Sequence, residues 1–170
     1  IVGMCKNRGI GVNNTLPWHI KEDLQLFSKL TKGAGNNAII MGKNTWNSLP
    51  NHPLPGRDNL IISSSLDISK NCPKNNYIKT FKTIENVIFF CNEQKYETVW
   101  IIGGEQIYSS FLSLDVINNI FISYINISFI CDKYFPLLDE NKWKITERKS
   151  IENTKNINLN LIIYQNKDYH

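Results

Sequence analysis

Short apolar runs alternate along this chain with longer segments whose apolar residues recur every three to four positions. Ile1–Met4, Ala38–Met41, Leu60–Ile62, Val99–Ile102 and Ile120–Ile125 are nearly unbroken apolar stretches, the pattern of strands buried on both faces. Between them, Lys21–Thr31, Lys43–Leu49, Thr83–Asn92 and Glu105–Leu112 have helical spacing. Strands alternating with helices predict βαβ units and a largely parallel sheet. The tail reads differently. Trp143–Lys149 and Asn158–Tyr164 flank a polar stretch, Ser150–Ile157, which predicts an antiparallel hairpin at the sheet edge. Asn158–Tyr164 mixes Asn with Leu and Ile, as an edge or outer strand would. Lys32–Asn37 and Asp67–Asn76 read as loops. No repeat or linker interrupts the pattern, so residues 1–170 are expected to form one domain.

Composition narrows the class. Hydrophobic residues make up 42% and charged residues 20% of 170 positions, enough apolar material for a packed core and too little for a membrane protein. The longest apolar candidate, Ile120–Cys131, is interrupted by Ser123, Asn126 and Ser128 and falls short of the ~20 residues of a spanning helix. The formal charge of +4 is spread along the chain without a basic stripe, which argues against a nucleic-acid partner and leaves a mild field for small anions. The four cysteines, Cys5, Cys72, Cys91 and Cys131, form no CxxC pair and read as reduced, buried hydrophobes. No signal peptide is recognisable and a cytoplasmic location is expected. The chain opens at Ile1 inside its first strand, so a few preceding residues are expected.

Four segments carry candidate chemistry. In Val99–Tyr108 an apolar strand ends at Gly103-Gly104 and a helix starts at once. Glycine allows close backbone approach, and free N–H groups at a helix start favour a phosphate. In Ile39–Trp46 a strand meets a helix at Gly42, with Lys43 and Thr45 in the first turn. A lysine opposes the dipole there, and a bound phosphate would reverse that cost. A third strand exit, Ile62-Ser63-Ser64-Ser65, adds hydroxyls. Three such exits suit a dinucleotide-sized ligand, although the GxGxxG fingerprint is absent. In Leu16–Phe27, helical spacing sets Asp23 beside the apolar stripe of Leu24, Phe27 and Leu30, while Lys21 and Glu22 project toward water. A carboxylate on such a face needs a partner, which an amidine-like ligand would supply; helix-dipole complementation is the equal alternative. Upstream, Gly9-Ile-Gly11 and Asn13-Asn14 read as a mobile loop and candidate lid. Finally, the Pro-Gly turn in Leu54-Pro55-Gly56-Arg57 aims a guanidinium suited to a carboxylate, or to an internal ion pair. No metal-ligand cluster and no Ser-His or Cys-His arrangement is recognisable.

Together these residues resemble dihydrofolate reductase over nearly the whole chain. The matching segments are the Gly-x-x-Asn-x-Leu-Pro-Trp loop at Gly11–Trp18, Asp23-Leu24 with Phe27, Met41-Gly-Lys-Asn-Thr-Trp46, Leu54-Pro-Gly-Arg57, Ile101-Ile-Gly-Gly104 with Tyr108, and Asp132-Lys-Tyr-Phe-Pro136. The resemblance implies a three-layer α/β fold with a central, mostly parallel eight-stranded sheet, an antiparallel C-terminal hairpin and four flanking helices. It implies NADPH-dependent reduction of 7,8-dihydrofolate to 5,6,7,8-tetrahydrofolate, feeding one-carbon metabolism and thymidylate synthesis, by a monomer that antifolates inhibit. Asp23 matches the pterin-binding acid, with Trp18 holding a water near it and Ser123, where the family usually shows Thr, bridging the acid through its hydroxyl. Ile1, Leu24, Phe27, Leu49, Leu54, Arg57, Ile102 and Tyr108 match substrate-binding positions, with Arg57 on the glutamate α-carboxylate. Gly3, Ile10, Leu16 and Thr45 match the surroundings of the nicotinamide and its ribose. Ile102, Gly103, Gly104, Glu105, Gln106, Ile107 and Tyr108 match the pyrophosphate turn. Gly42, Lys43, Asn44, Ile62, Ser63, Ser64 and Lys79 match the adenosine and 2′-phosphate side. Gln106 stands where some members carry Arg, so preference for NADPH would rest on Lys43 and Ser64, helped by Lys79. Some relatives use Glu as the acid, which keeps Glu22 as an alternative, but spacing from Trp18 favours Asp23. A pyrimidine reductase of riboflavin synthesis, a non-catalytic nucleotide- or folate-binding protein, and one domain of a fusion with thymidylate synthase are the competing readings.

Overall fold

The computed structural model describes residues 1–68 and 77–169. Cys72, His170 and most of the 67–76 loop lie outside them. Among the described residues, ten strands and four helices follow one another: β1 Val2–Cys5, β2 Gly9–Gly11, α1 Lys21–Lys32, β3 Asn37–Gly42, α2 Lys43–Ser48, β4 Asp58–Ile62, β5 Ile78–Phe81, α3 Ile84–Glu93, β6 Thr98–Gly103, α4 Glu105–Ser113, β7 Asn119–Ile125, β8 Lys133–Tyr134, β9 Trp143–Ser150 and β10 Leu159–Asn166. The fold is α/β, with all four helices at the positions the periodicity predicts.

The helices start where local chemistry favours them. In α1, Glu22 and Asp23 occupy the first turn and Lys29 and Lys32 the last, matching the dipole at both ends. In α3, Thr83 caps the first turn by accepting from the Asn86 N–H at 3.2 Å.

The chain divides into two compact units, residues 28–104 and residues 1–27 with 105–170. The 28–104 unit contains a wholly parallel sheet in the order β5-β4-β3-β6. Its core gathers Ile39, Met41, Trp46, Ile61, Ile68 and Ile78. The other unit contains the sheet β1-β7-β10-β9, parallel between β1 and β7 and antiparallel from there on, plus the two-stranded pair β2-β8. A single eight-stranded, mostly parallel sheet is therefore not what the hydrogen-bond ladders form. They run as two four-stranded sheets and a pair, one parallel and one mixed.

One further expectation changes. The segment read as an edge or outer strand, Asn158–Tyr164, lies between β7 and β9 as β10, with Leu159, Leu161 and Ile162 buried. The edge is β9, where only Trp143 is buried. The polar Asn residues had suggested exposure, but Asn160 bonds Asn158 at 2.6 Å and does not mark the sheet boundary. Within the segment read as a mobile loop and candidate lid, Asn13-Asn14 form a two-residue turn. Val12 and Thr15 exchange backbone hydrogen bonds of 2.9 Å, both Asn residues take positive φ, and Asp132 Oδ2 accepts from the Asn13 N–H at 3.0 Å.

Candidate active site

Pro17 and Trp18 lead into α1, whose first turn carries Asp23. The side chain is 7% exposed. Its Oδ2 accepts from the Trp18 indole N–H at 3.3 Å. On β7, Ser123 sits in register with Gly3 of β1. The Ser123 hydroxyl is close enough to favour the ionised carboxylate, yet makes no hydrogen bond of full geometry. Gly3 abuts this group: a Cβ there would come 3.2 Å from Trp18 Cζ2 and 3.5 Å from Asp23 Oδ2. Burial dominates the electrostatics and pushes the Asp23 carboxyl above its ordinary value of 3.8, against the opposing pull of Ser123 and Trp18. A carboxyl so raised, in a partly apolar setting, is suited to ligand binding and proton management.

Glu22 is occupied elsewhere. It does not simply face water: its Oε1 accepts from the Thr154 N–H at 3.0 Å, and backbone hydrogen bonding lowers its pKa. Along the same helix Phe27 is half-buried and Leu24 is 44% exposed. Leu16 is also exposed and Ile10 half-buried on β2. Tyr108, buried on α4, donates its hydroxyl to the Ile1 carbonyl at 2.8 Å. In the first turn of α4, Gln106 is exposed, and Glu105 and Ile107 are half-buried.

Within the 28–104 unit, Leu49, Leu54 and Ile102 pack together against the β3–β4 core. Arg57 is buried at 4% exposure, and its Nη1 donates to the Pro55 carbonyl at 2.7 Å. Burial lowers its pKa from the usual guanidinium value. The turn is held by a residue that motif reading passed over. Asn59, fully buried on β4, donates to the Leu54 and Arg57 carbonyls and accepts from the Leu54 N–H, each at 2.9 Å. The signal was an Asn within the apolar run Asn59–Ile62, a polar side chain placed where only a satisfied one survives.

At the strand exits, Lys43 donates to the Ser65 hydroxyl at 3.1 Å, while Asn44 and Ser64 are exposed. Ser63 Oγ turns inward and accepts from the Ser65 and Leu66 N–H groups. Ile62 ends β4. Lys79, on β5, lies over the Phe90 ring, 5.4 Å from its centroid. Gly42 precedes α2 without a side-chain cap. Gly103 has φ +123°, a conformation that favours glycine, and the Gly103–Gly104 peptide is cis. A Cβ at Gly104 would meet Thr45 Oγ1 at 3.5 Å.

Among the described residues no three His, Cys, Asp or Glu side chains gather as a metal set, and no helix is long and apolar enough to cross a membrane. The profile of one family, described as dihydrofolate reductase, matches residues 1–166. The chain belongs to the dihydrofolate reductase family. It is 30% identical over 172 aligned residues to the dihydrofolate reductase of Heliothis virescens, covering 96% of this chain and 92% of that one. It is 36% identical over 148 residues to that of Neisseria meningitidis, covering 87% and 84%. It is also 31% identical to the bifunctional dihydrofolate reductase-thymidylate synthase of Paramecium tetraurelia, covering all of this chain and 35% of that one. Its activity is that of the dihydrofolate reductase family, reduction of dihydrofolate to tetrahydrofolate with a nicotinamide cofactor.

Proposed function

We propose that the chain reduces 7,8-dihydrofolate with NADPH, using Asp23 as the acid that binds the pterin and promotes protonation at N5. The observation that carries this reading is the burial of Asp23 against Trp18 and Gly3, with Ser123 beside it. A carboxylate in that setting pairs with a two-donor amidine edge, such as the pterin 2-amino group and N3, and is stabilised by it. Burial raises the pKa of that carboxyl, and the Trp18 indole would orient a water that delivers a proton to N5.

The residues fit a phosphate-bearing cofactor. At Gly104, whose Cβ position lies in ordinary contact distance of the Thr45 hydroxyl, the bare backbone and that hydroxyl would offer donors to a phosphate oxygen. Lys43, paired with Ser65 and otherwise exposed, offers the cation for a 2′-phosphate. When bound, the nicotinamide supplies the hydride that pterin C6 receives. Arg57, held by its turn, would take the glutamate α-carboxylate, and Leu49, Leu54 and Phe27 the apolar body of the folate. Ser63 acts within its own loop and Lys79 over Phe90, so Lys43 and Ser64 carry the phosphate preference in this reading. We take residues 1–170 as one catalytic domain, since one family profile spans both compact units. A reducing, cytoplasmic setting fits the free thiols of Cys5, Cys91 and Cys131.

The test is loss of NADPH absorbance on adding dihydrofolate, repeated with NADH and with an antifolate of the diaminopteridine type. Turnover with NADPH, weaker turnover with NADH and inhibition by the antifolate are expected. Antifolate-insensitive oxidation, or none with dihydrofolate, would overturn the reading.

A further inference from the structure

Glycine at position 9 marks an unexpected neighbourhood. A Cβ there would overlap Cys131 Sγ, and would lie 2.8 Å from Cys131 Cβ and 3.0 Å from Cys5 Sγ. Two sulfurs far apart in sequence thus crowd one point beside residue 9, where only glycine, with no Cβ, fits. The backbone on each side is held. The Arg8 N–H donates to the Cys5 carbonyl at 2.9 Å, and the Asp132 N–H to the Gly11 carbonyl at 3.0 Å. Gly9 pairs with Tyr134 and Gly11 with Lys133. The Tyr134 hydroxyl donates to the Cys131 carbonyl at 2.8 Å. Cys5 is fully buried with Trp18, Ile20, Ile125 and Leu159, and Cys131 packs at the margin of that cluster, half-buried. Oxidant therefore reaches Cys131 first and finds Cys5 directly behind it.

We propose that Cys5 and Cys131 form a dithiol site that a peroxide closes to an intramolecular disulfide. In the first step the Cys131 thiol gives up its proton, the thiolate attacks a peroxide oxygen, the O–O bond breaks, and the departing hydroxide takes up that proton, leaving a sulfenic acid and one water. In the second, Cys5 sulfur attacks the sulfenic sulfur, the S–O bond breaks, and a second water leaves with the Cys5 proton. Two thiols lose two electrons and two protons, and hydrogen peroxide becomes two waters. Asn7 Oδ1 accepts from the Cys5 thiol at 2.6 Å, and that proton leaves with the departing hydroxyl as water. Closure would join the end of β1 to the segment entering β8.

Burial, Cys5 and the Asp132 charge raise the Cys131 pKa, against the pull of the Gly11 backbone. The thiolate is the nucleophile, so closure is slow at neutral pH and accelerates roughly tenfold per pH unit below that pKa.

The experiment uses the full chain carrying Cys72→Ser and Cys91→Ser, which leaves two thiols. After hydrogen peroxide treatment of the folded protein, intact mass and a non-reducing peptide map are recorded at several pH values. Loss of two hydrogens in mass, a linked peptide pair containing Cys5 and Cys131, reversal by dithiothreitol and a rate rising with pH are expected. Adding Cys131→Ser should abolish the linked pair while circular dichroism stays native. Oxygen addition to either cysteine without a cross-link, disulfide-linked dimers in place of the internal bond, or a pH-independent rate would each overturn the proposal.

Discussion

An aspartate that is 7% exposed, with an indole N–H and a nearby serine hydroxyl for polar support, is costly to keep ionised. That cost is what makes Asp23 useful and also what makes it destabilising. Because its folded pKa lies above 3.8, the folded chain binds the proton more tightly than the unfolded one. Stability therefore falls as pH rises from below 3.8 through the folded value, and the penalty persists at neutral pH. Asp23→Asn is expected to raise the melting temperature at neutral pH, with the gap closing below about pH 3.8; a thermal series across pH checks this. The same variant should lose turnover by roughly a hundredfold or more near neutrality, and recover partly in acid where solvent protonates the substrate. Steady-state and single-turnover rates against pH report it. At Lys43 the charge is exposed, so Lys43→Ala should weaken NADPH by less than about tenfold and leave NADH unaffected. Cofactor titrations followed by fluorescence quenching distinguish the two.

At the scale of elements, the turn between α2 and β4 depends on one buried amide. Asn59 satisfies both backbone groups of Leu54 and the carbonyl of Arg57. Asn59→Ala leaves these buried groups unpaired, and a loss on the order of 3 kcal/mol is expected in urea denaturation. Since the same turn presents Arg57, the variant should raise KM for dihydrofolate more than it lowers kcat, and the difference should vanish with a substrate that lacks glutamate. The helices and the long strands were readable from periodicity because each is long enough to repeat its pattern. The pairs and short strands were not. Gly9–Gly11 and Lys133–Tyr134 span three and two residues, too few for alternation to register, and they exist through pairing with each other. Ile78–Phe81 likewise becomes a strand by extending the β4 ladder.

For the whole molecule, a charge of +4 without a basic stripe produces a weak field that favours anionic ligands without fixing their place. The second-order rates for NADPH and dihydrofolate should fall several-fold as ionic strength rises past about 0.1 M, where the Debye length is ~10 Å. The single-turnover hydride rate should not change; stopped-flow traces at low and high salt separate the two. The amino-acid order alone determined the element types, the glycine junctions at Gly42 and Gly103-Gly104, and the nomination of Asp23 and Arg57, because periodicity, turn chemistry and motif spacing are local. Tertiary structure decided what depends on residues meeting across the chain. It engaged Glu22 Oε1 with the Thr154 N–H and buried Asp23 against the Trp18 indole. It placed β10 inside its sheet rather than at the edge. It tied the Arg57 turn to Asn59, and it brought Cys5 beside Cys131 across a glycine. Burial and pairing are set by neighbours distant in sequence, and no window along the chain contains them.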